Sequence, residues 1–467
     1  MSFLKKYRNP IAITLSIILY FFFAYFLERT QFYTVCFLWF SLFGCFYVLI
    51  KNKKTPFATF VGMALLFRLV LLFSIPNLSQ DFYRFIWDGR MLLNGFNPYL
   101  SLPETFIQQN LQPVAETAIL YDGMGELNGS HYTNYPPLNQ LCFFIAAFFA
   151  SKSIFGSVIV LRIIIILADF GILYFGKKLL EHLNLPIKNI FWYVLNPFII
   201  IEMTGNLHFE PVMLFFLIWS LYKLHQQKWI WAAVLLACSI SIKLIPLLFL
   251  PLFFQWFVTP SDSAQNGKSM FLRALPNFRV NTIGIFKLMG FYAIILIITV
   301  LLFFPFYSSE FLANYTNSVG LWFRNFEFNA SFYYVFREIG YLFRGYNEIA
   351  IIGKITPIAT IVFLLCLSFF RKNKSEIQLI TALLFGLCFY YFTATTVHPW
   401  YLATPLILGV FTKYKFPLVW TLVIILTYQA YANNPWKENL WVVAIEYLIV
   451  FSYLIYELLP ANKMKKL

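Results

Sequence analysis

The chain has 467 residues, of which 60% are hydrophobic and only 12% are charged, and its formal net charge is +15. Soluble domains average about 45–50% apolar and about 25% charged residues, so this composition excludes a soluble protein. The net charge does not indicate nucleic-acid binding, since the basic residues cluster at the ends of apolar runs and do not form one face. The six cysteines lie inside apolar runs without paired spacing, which predicts neither disulfides nor a metal cluster.

Long apolar runs recur along the whole chain, and runs of about 18 residues with few charges predict helices that cross a membrane. They lie at residues 11–27, 35–50, 57–75, 286–306, 355–370, 377–393, 416–432 and 440–455. The first run ends without a small-residue cleavage site, so we expect it to remain as a span. Together with shorter runs in the middle of the chain, about 13 apolar helices are expected. The sequence therefore predicts an all-α fold, a polytopic transmembrane helical bundle that forms a single membrane domain over residues 1–467.

Clusters of Lys and Arg predict the orientation, because such residues are enriched on the cytoplasmic side of a membrane. The clusters lie at residues 5–8, 51–54, 371–374, 413–415 and 463–466. This pattern places a first loop at residues 77–137 and a second loop at residues 308–349 on the outer side, and a loop at residues 258–284 on the cytoplasmic side. Between residues 138 and 204, three apolar segments join two outer ends, so one of them is expected to cross only halfway. The sequence leaves open which one it is.

The first outer loop opens with a predicted amphipathic helix at residues 81–94. On a helix, Asp81, Arg84 and Asp88 fall on one face, at positions i, i+3 and i+7. An acid directly after a span is well placed to act as a general base, taking a proton from a hydroxyl while Arg84 orients it. The structural alternative is that Asp81 caps the helix while Arg84 and Asp88 form a surface ion pair.

Charged residues in or beside apolar runs form a second group of candidates, because a charge inside a membrane is costly and tends to mark a functional site. Glu202 and the stretch at residues 205–211, with His208 and Glu210, belong either to a site or to a capped loop at the water interface. Lys243 lies where the run at residues 229–257 breaks into two short legs. There it can meet an anionic phosphate, or it can serve the structure alone.

Two further features have structural alternatives as well. For Arg68 and Arg162 we favour snorkelling or an internal partner such as Asp169. The sequence His398-Pro399-Trp400-Tyr401 ends a span on the predicted outer side, where an aromatic belt with an incidental histidine is the simpler explanation. Its interest is that charge counting places it on the same side as Asp81 and His208.

Several motifs are absent from the sequence. It contains no Gly-rich phosphate loop, no His-Glu-x-x-His and no Gly-x-Ser-x-Gly, and no soluble nucleotide-binding domain. A site on the outer face has no access to a cytosolic nucleotide-activated donor. A lipid-linked donor, held by its tail between helices, would solve this problem.

At these residues the chain resembles the GT-C superfamily of polyprenyl-phosphate-sugar-dependent glycosyltransferases, and most closely the DUF2029-type bacterial mannosyltransferases. The resemblance rests on the order and spacing of motifs across most of residues 60–410. The motifs are Asp81-x-Tyr83-Arg84 leading to Gly95-Phe96-Asn97-Pro98-Tyr99, Tyr135-Pro136-Pro137-Leu138, Asn196-Pro197 leading to Gly205-Asn206-Leu207-His208, Lys243-Leu244-Ile245-Pro246, and His398-Pro399-Trp400-Tyr401.

The resemblance implies a multi-pass enzyme of the bacterial inner membrane, with its active site on the periplasmic face. It would transfer a sugar, expected to be mannose, from a polyprenyl-phosphate-linked donor to a glycolipid, cell-wall glycan or protein acceptor, with inversion at C1. Asp81 would be the catalytic base and Asp88 the second choice, and Tyr135 and Pro136 would shape the loop. The residues expected to bind the donor and its phosphate are Arg84, His208, Glu210, Lys243, His398 and Tyr401.

The second motif of the family commonly carries an Asp, which is missing here, so the resemblance does not carry the role of a second acid over to Glu210. No cofactor is expected, and a divalent metal is not favoured. The alternative function is a lipid or glycan transporter or flippase without chemistry, although the sequence lacks the repeat symmetry typical of transporters.

Overall fold

The computed structural model describes residues 2–52, 54–258, 281–324 and 326–459. These residues are mostly helical, and within them the only extended pairing is an isolated bridge between Phe328 and Thr396. The prediction of an all-α fold is confirmed. Most of the predicted cytoplasmic loop at residues 258–284 lies outside the described residues.

The helices are numbered in chain order. The first half of the chain contains α1 (Ser2–Tyr25), α2 (Phe32–Lys51), α3 (Phe57–Val70), α4 (Asp81–Leu93), α5 (Pro103–Gln108), α6 (Thr117–Gly129), α7 (Pro137–Ala150), α8 (Ile154–His182), α9 (Phe191–Val194), α10 (Glu210–His225), α11 (Trp229–Ile240) and α12 (Phe254–Val258). The second half contains α13 (Thr282–Phe303), α14 (Phe311–Arg324), α15 (Phe332–Arg344), α16 (Ile349–Phe370), α17 (Glu376–Thr393), α18 (Ala403–Val410), α19 (Phe416–Val423) and α20 (Leu440–Leu458).

Membrane-crossing helices run through the whole chain. Among the described residues, seven helices are long and apolar enough to span a membrane: α1, α2, α8, α13, α16, α17 and α20. The helices Ile199–Gly205 and α10, which meet at 111°, make an eighth span if both belong to one crossing. Shorter apolar helices of 10–17 residues lie between the long ones. The chain is therefore a multi-pass membrane protein, while the expected total of about 13 apolar helices stays a prediction.

Of the three apolar segments between residues 138 and 204, the third has an irregular backbone. Helices α7 and α8 have 14 and 29 residues, whereas the segment at residues 190–203 is divided between a 3-10 turn, the four-residue α9 and a seven-residue π-helix at Ile199–Gly205. The break falls at Asn196-Pro197, where proline cannot donate to the helical ladder. Irregular backbone at membrane depth is tolerated where protein packs around it, and residues 190–210 are almost entirely buried.

Two buried arginines have partners in the interior, and one of them, Arg162, holds the end of this irregular backbone. Arg162 donates hydrogen bonds to the carbonyl oxygens of Leu72, Ser74, Thr204 and Gly205. Arg68 donates from Nε to Oδ2 of Asp169 over 2.9 Å, with both side chains fully buried. The interpretation that these arginines have internal partners is confirmed, for Arg68 with Asp169 and for Arg162 with backbone carbonyls.

The predicted first outer loop, residues 77–137, is folded tightly against the membrane helices. Helix α4 begins at Asp81, as the sequence predicts, and it packs along α7. The approach is so close that a Cβ atom at Gly89 would lie 2.2 Å from the carbonyl oxygen of Phe143. Only glycine fits at this crossing, and the crossing fixes where the first turn of α4 lies.

The second outer loop is fastened to the chain that precedes His398. Phe328 donates its N–H to the carbonyl of Thr395 over 3.1 Å, and its own carbonyl accepts from the N–H of Val397 over 2.8 Å. The next residue, Asn329, is buried in the left-handed region at φ 47°, and its amide donates to Glu446 over 3.2 Å. These bonds bring residues 326–329 beside the His398 motif.

Candidate active site

A cavity of about 520 Å³ lies where the first outer loop meets the broken helices. Its walls come from the start of α4, the turn before α10, the break after α11, the helices α16 and α17, and the chain leading into α18. The predicted site residues that line it are Asp81, Tyr135, Pro136, His208, Glu210, Lys243, His398 and Tyr401. The fold thus collects residues from distant parts of the sequence around one space.

Asp81, the first residue of α4, is half-buried and faces this cavity. Burial raises the pKa of its carboxyl to about 6, an effect opposed by the charge of Lys243 and by a hydrogen bond from Asn128. Glu210 adds a smaller upward effect. A carboxyl with a pKa in this range is ionised at neutral pH and is a better proton acceptor than an ordinary aspartate.

Lys243 and Glu210 form an ion pair on the wall of the cavity. Nζ of Lys243 donates to Oε1 of Glu210, the buried first residue of α10. Lys243 lies in the break between α11 and a 3-10 helix at Ile245–Phe253, as the sequence predicts. Because the backbone is not helical there, the amine can reach the cavity and stay partly exposed, with a side-chain exposure of 21%.

The Tyr135-Pro136-Pro137 motif ties three parts of the site together. The N–H of Leu138 donates to the carbonyl oxygen of Ser241, two residues before Lys243, over 3.0 Å. The carbonyl of Tyr135 accepts from the hydroxyl of Tyr99 over 2.6 Å. Burial raises the pKa of Tyr135 well above its usual value, and the nearby charge of Asp81 raises it further. This tyrosine therefore stays neutral beside the acid.

Arg84 and Asp88 lie outside the cavity lining. Nε of Arg84 donates to Oδ1 of Asp88 over 2.8 Å, and the guanidinium also donates to the carbonyl of His131 over 3.0 Å. The other oxygen of Asp88 accepts from Gln140 over 2.9 Å. The ion pair is the structural alternative considered for these residues, formed in the interior instead of at the surface. It fastens α4 to the end of the outer loop, and among the described residues Arg84 makes no hydrogen bond to Asp81.

The two histidines of the cavity stack on the same aromatic ring, that of Trp400. His208 stacks on Trp400 with ring centroids 3.8 Å apart, and His398 stacks on Trp400 at 4.5 Å. Tyr401 meets His398 edge to face at 5.4 Å. Burial lowers the pKa of His398 to about 3, and the charge of Lys243 acts in the same direction, so this imidazole is neutral in the structure as it stands.

Arg29 belongs to the cavity lining and was missed by the sequence analysis. It lies in the turn between α1 and α2, donates to Oε1 of Gln80 over 3.0 Å, and sits over the ring of Tyr431 at 4.8 Å. The sequence contained a signal, since a basic residue in a short turn on the predicted outer side departs from the positive-inside rule. Two cations, Arg29 and Lys243, thus face the same space.

Carboxylates and histidines do not cluster as metal ligands in the described part of the chain, where groups of three or more His, Cys, Asp or Glu suited to a metal ion are absent. The expectation that no metal takes part stays a prediction.

Comparison with known proteins shows the family to which the chain belongs. The model of the family described as Alpha-(1->6)-mannopyranosyltransferase, N-terminal domain, matches residues 21–259, just over half of the chain. The chain belongs to this family. The matched region contains Arg29, Asp81, Glu210 and Lys243, while His398 and Tyr401 come from beyond it.

Two relatives within the family are similar over a shorter stretch. The Alpha-(1->6)-mannopyranosyltransferase A of Corynebacterium glutamicum is 24% identical over 192 residues, which cover 40% of this chain and 36% of the relative. The protein of the same name from Mycobacterium tuberculosis is 22% identical over 187 residues, covering 40% of this chain and 34% of the relative. The chain therefore spans only about a third of the length of these family members.

Proposed function

We propose that this chain is a membrane mannosyltransferase that moves a mannosyl group from a polyprenyl-phosphate-linked donor to a hydroxyl group of a glycolipid or glycan acceptor. Family membership supports the sugar, and the multi-pass fold supports a donor that is delivered within the bilayer. The observation that carries the proposal is that Asp81, a half-buried acid with a raised pKa, shares one cavity with Lys243 and Arg29. A proton acceptor and two cations are the groups that such a transfer needs.

The proposed reaction is a single inverting displacement. Asp81 accepts the proton of the acceptor hydroxyl while the acceptor oxygen attacks C1 of the mannosyl group. The bond between C1 and the phosphate oxygen breaks, and its electron pair leaves on the polyprenyl phosphate. The proton remains on Asp81 until solvent removes it. Inversion of a β-configured donor gives an α-linked product, the linkage that the names of the relatives describe.

The cationic residues would serve the departing phosphate. Its negative charge grows as the bond to C1 breaks, so a fixed cation stabilises the transition state more than the ground state. Lys243 and Arg29 supply this charge, and His208 and His398 supply ring N–H donors. Since these groups provide the positive charge that a metal provides in other transferases, we expect transfer to continue without a divalent ion.

We further propose that the site faces the outer, periplasmic side of the bacterial inner membrane. The support comes from the Lys and Arg clusters of the sequence, which predict that the loop at residues 77–137 lies on the side opposite the cytoplasm. A lipid-linked donor fits this location, because its tail lies in the bilayer while its phosphate reaches the cavity.

The proposal is tested with purified protein in nanodiscs and a radiolabelled short-chain polyprenyl phosphomannose. Transfer of label to an acceptor lipid, with release of polyprenyl phosphate and no effect of EDTA, is the expected result. Binding of the donor without release of polyprenyl phosphate, whatever bacterial lipid acceptors are supplied, would contradict it and favour a transporter. Loss of transfer in EDTA would overturn only the expectation that transfer needs no metal, and the proposed transferase activity would stand.

A further inference from the structure

Glu202 is a buried acid that the proposed reaction does not use. It lies in the π-helix at Ile199–Gly205, and its side chain is fully buried. A π-helix is rare and frequently marks a functional site, since its extra residue re-aims the side chains around it. A carboxyl in such a place is costly to bury unless its oxygens have partners.

One oxygen of Glu202 has a clear partner and the other does not. Oε1 accepts a hydrogen bond from the hydroxyl of Tyr428 over 2.7 Å. Oε2 lies 3.9 Å from Nε2 of His208, and each of these two buried atoms lacks a hydrogen-bond partner among the described residues. Two unsatisfied buried polar atoms that face each other are one small movement away from a hydrogen bond, and each is costly while it is left unpaired.

The backbone between these two residues is built to place them together. Leu207, directly before His208, has a φ of 63°. This lies in the left-handed region, which residues other than glycine rarely adopt. Asn206 accepts from the N–H of Leu78 over 2.9 Å, and Arg162 holds the carbonyl of Gly205 over 2.9 Å. The turn is thereby fixed on both sides, and the imidazole of His208 stands between Glu202 and the cavity.

Resting on the proposed function, we propose that Glu202 is a positioning residue that acts through His208. Its carboxylate receives the Nε2–H of the imidazole and holds the ring on the face of Trp400. When a phosphate enters the cavity, the ring takes up a second proton from solvent at Nδ1 and donates a hydrogen bond from Nδ1 to a phosphate oxygen. A carboxylate behind a histidine fixes the tautomer and the orientation of the ring, and it stabilises the doubly protonated form, which donates from both nitrogens.

The contribution of Glu202 and His208 to phosphate binding should be largest when the phosphate carries the most negative charge. The donor phosphate is a diester with one negative charge, whereas the departing polyprenyl phosphate is a monoester that approaches two. His208 and Glu202 should therefore contribute little to donor binding but more to the transition state and to product binding. This difference separates a positioning role from a general structural role.

The test compares Glu202→Gln with Tyr428→Phe as a matched control. The amide of the first variant keeps an oxygen for the Tyr428 hydroxyl but presents no negative charge to His208. Tyr428→Phe, in contrast, removes the bond to Oε1 and leaves the carboxylate facing His208. In E202Q we expect kcat to fall about 10–100-fold, with a donor KM within about threefold of wild type. In Y428F we expect kcat and the donor KM each to stay within about threefold of the wild-type value.

A double-mutant cycle with His208→Asn tests whether the effect passes through the imidazole. In the H208N background, E202Q should cost no more than about twofold further, because the residue through which it acts is gone. Independent, multiplying losses would overturn the inference, and so would an equal loss of kcat in Y428F and E202Q. If E202Q does not fold, Glu202→Asp replaces it in the same cycle. Its loss of kcat should likewise be no more than about twofold in the H208N background.

A binding measurement decides the inference even without turnover. The affinity for a short-chain polyprenyl phosphate, measured by calorimetry in nanodiscs, should weaken about tenfold in E202Q and stay at the wild-type value in Y428F. An unchanged affinity in E202Q would overturn the role of Glu202. Inactive wild-type protein that still shows the tenfold difference would instead overturn the proposed function and keep this phosphate site.

Discussion

Asp81 lines the cavity, whereas Asp88, about two turns further along α4, does not. The sequence places both acids on one face of α4, but helical spacing cannot say which of them meets the cavity. That choice depends on Arg84, whose guanidinium pairs with Asp88 and leaves Asp81 at the cavity wall. Arg29 was missed for a related reason, because its place beside Gln80 is a tertiary contact between a turn and a loop.

The raised pKa of Asp81 predicts a pH dependence of the proposed transfer. The base must be ionised to accept a proton, and burial raises its pKa to about 6. We expect kcat/KM to rise about tenfold per pH unit below this value and to level off above it. A profile measured from pH 4.5 to 8 checks this, and a flat profile through pH 6 would contradict a role for Asp81 as base.

The same pKa has a consequence for stability. Because the pKa is higher in the folded state than in the unfolded chain, the charged carboxyl costs stability above pH 6, and this cost disappears as the pH falls below the unfolded value of 3.8. Asp81 thus trades stability for reactivity, as active-site acids commonly do.

At the scale of elements, the sequence predicted the apolar helices, the start of α4 and the break at Lys243. It could not predict the π-helix or the bend before α10, because both arise from contacts with Arg162 and the first outer loop. The bridge between residues 326–329 and the chain before His398 was equally hidden, since it joins two loops that are far apart in sequence.

The crossing of α4 and α7 predicts a strong effect of Gly89→Ala. The added Cβ would meet the carbonyl oxygen of Phe143 at 2.2 Å, and a backbone atom cannot move aside cheaply. We expect a loss of about 1–3 kcal/mol in the free energy of unfolding, together with reduced transfer because the first turn of α4 shifts. Thermal unfolding in detergent provides the measurement.

Gly62→Ala is the matched control, since a Cβ at this position in α3 would have no neighbour within 4 Å. Alanine is the better helix former by about 1 kcal/mol, so this variant should be neutral or slightly stabilised. An equal change in the free energy of unfolding in Gly89→Ala and Gly62→Ala would contradict the close crossing at Gly89.

For the whole molecule, composition alone was sufficient to predict a multi-pass helical membrane protein, because 60% hydrophobic residues leave few other folds. The cavity depends on both halves of the chain, with Asp81 and Lys243 from the first and His398 from the second. No local pattern could have predicted that assembly.

The proposed orientation predicts which positions are labelled from outside the cell. Cysteines placed at Asp122 in α6 and at Lys372 between α16 and α17 replace exposed residues on opposite predicted sides. In intact spheroplasts, a membrane-impermeant maleimide should label D122C directly and K372C only after permeabilisation. Wild-type protein gives the background from the native cysteines, and the reverse pattern would contradict an outer site.

The role of Asp81 as the catalytic base is tested by the rate of the chemical step in Asp81→Asn. Asparagine keeps the shape of the side chain but cannot accept the proton, so single-turnover transfer from the polyprenyl phosphomannose should slow about 10²–10⁴-fold while donor affinity stays near the wild-type value. Asp122→Asn, in an exposed position of the same loop, should transfer at the wild-type rate. A D81N protein that transfers as fast as wild type would contradict the assignment of Asp81 as the catalytic base.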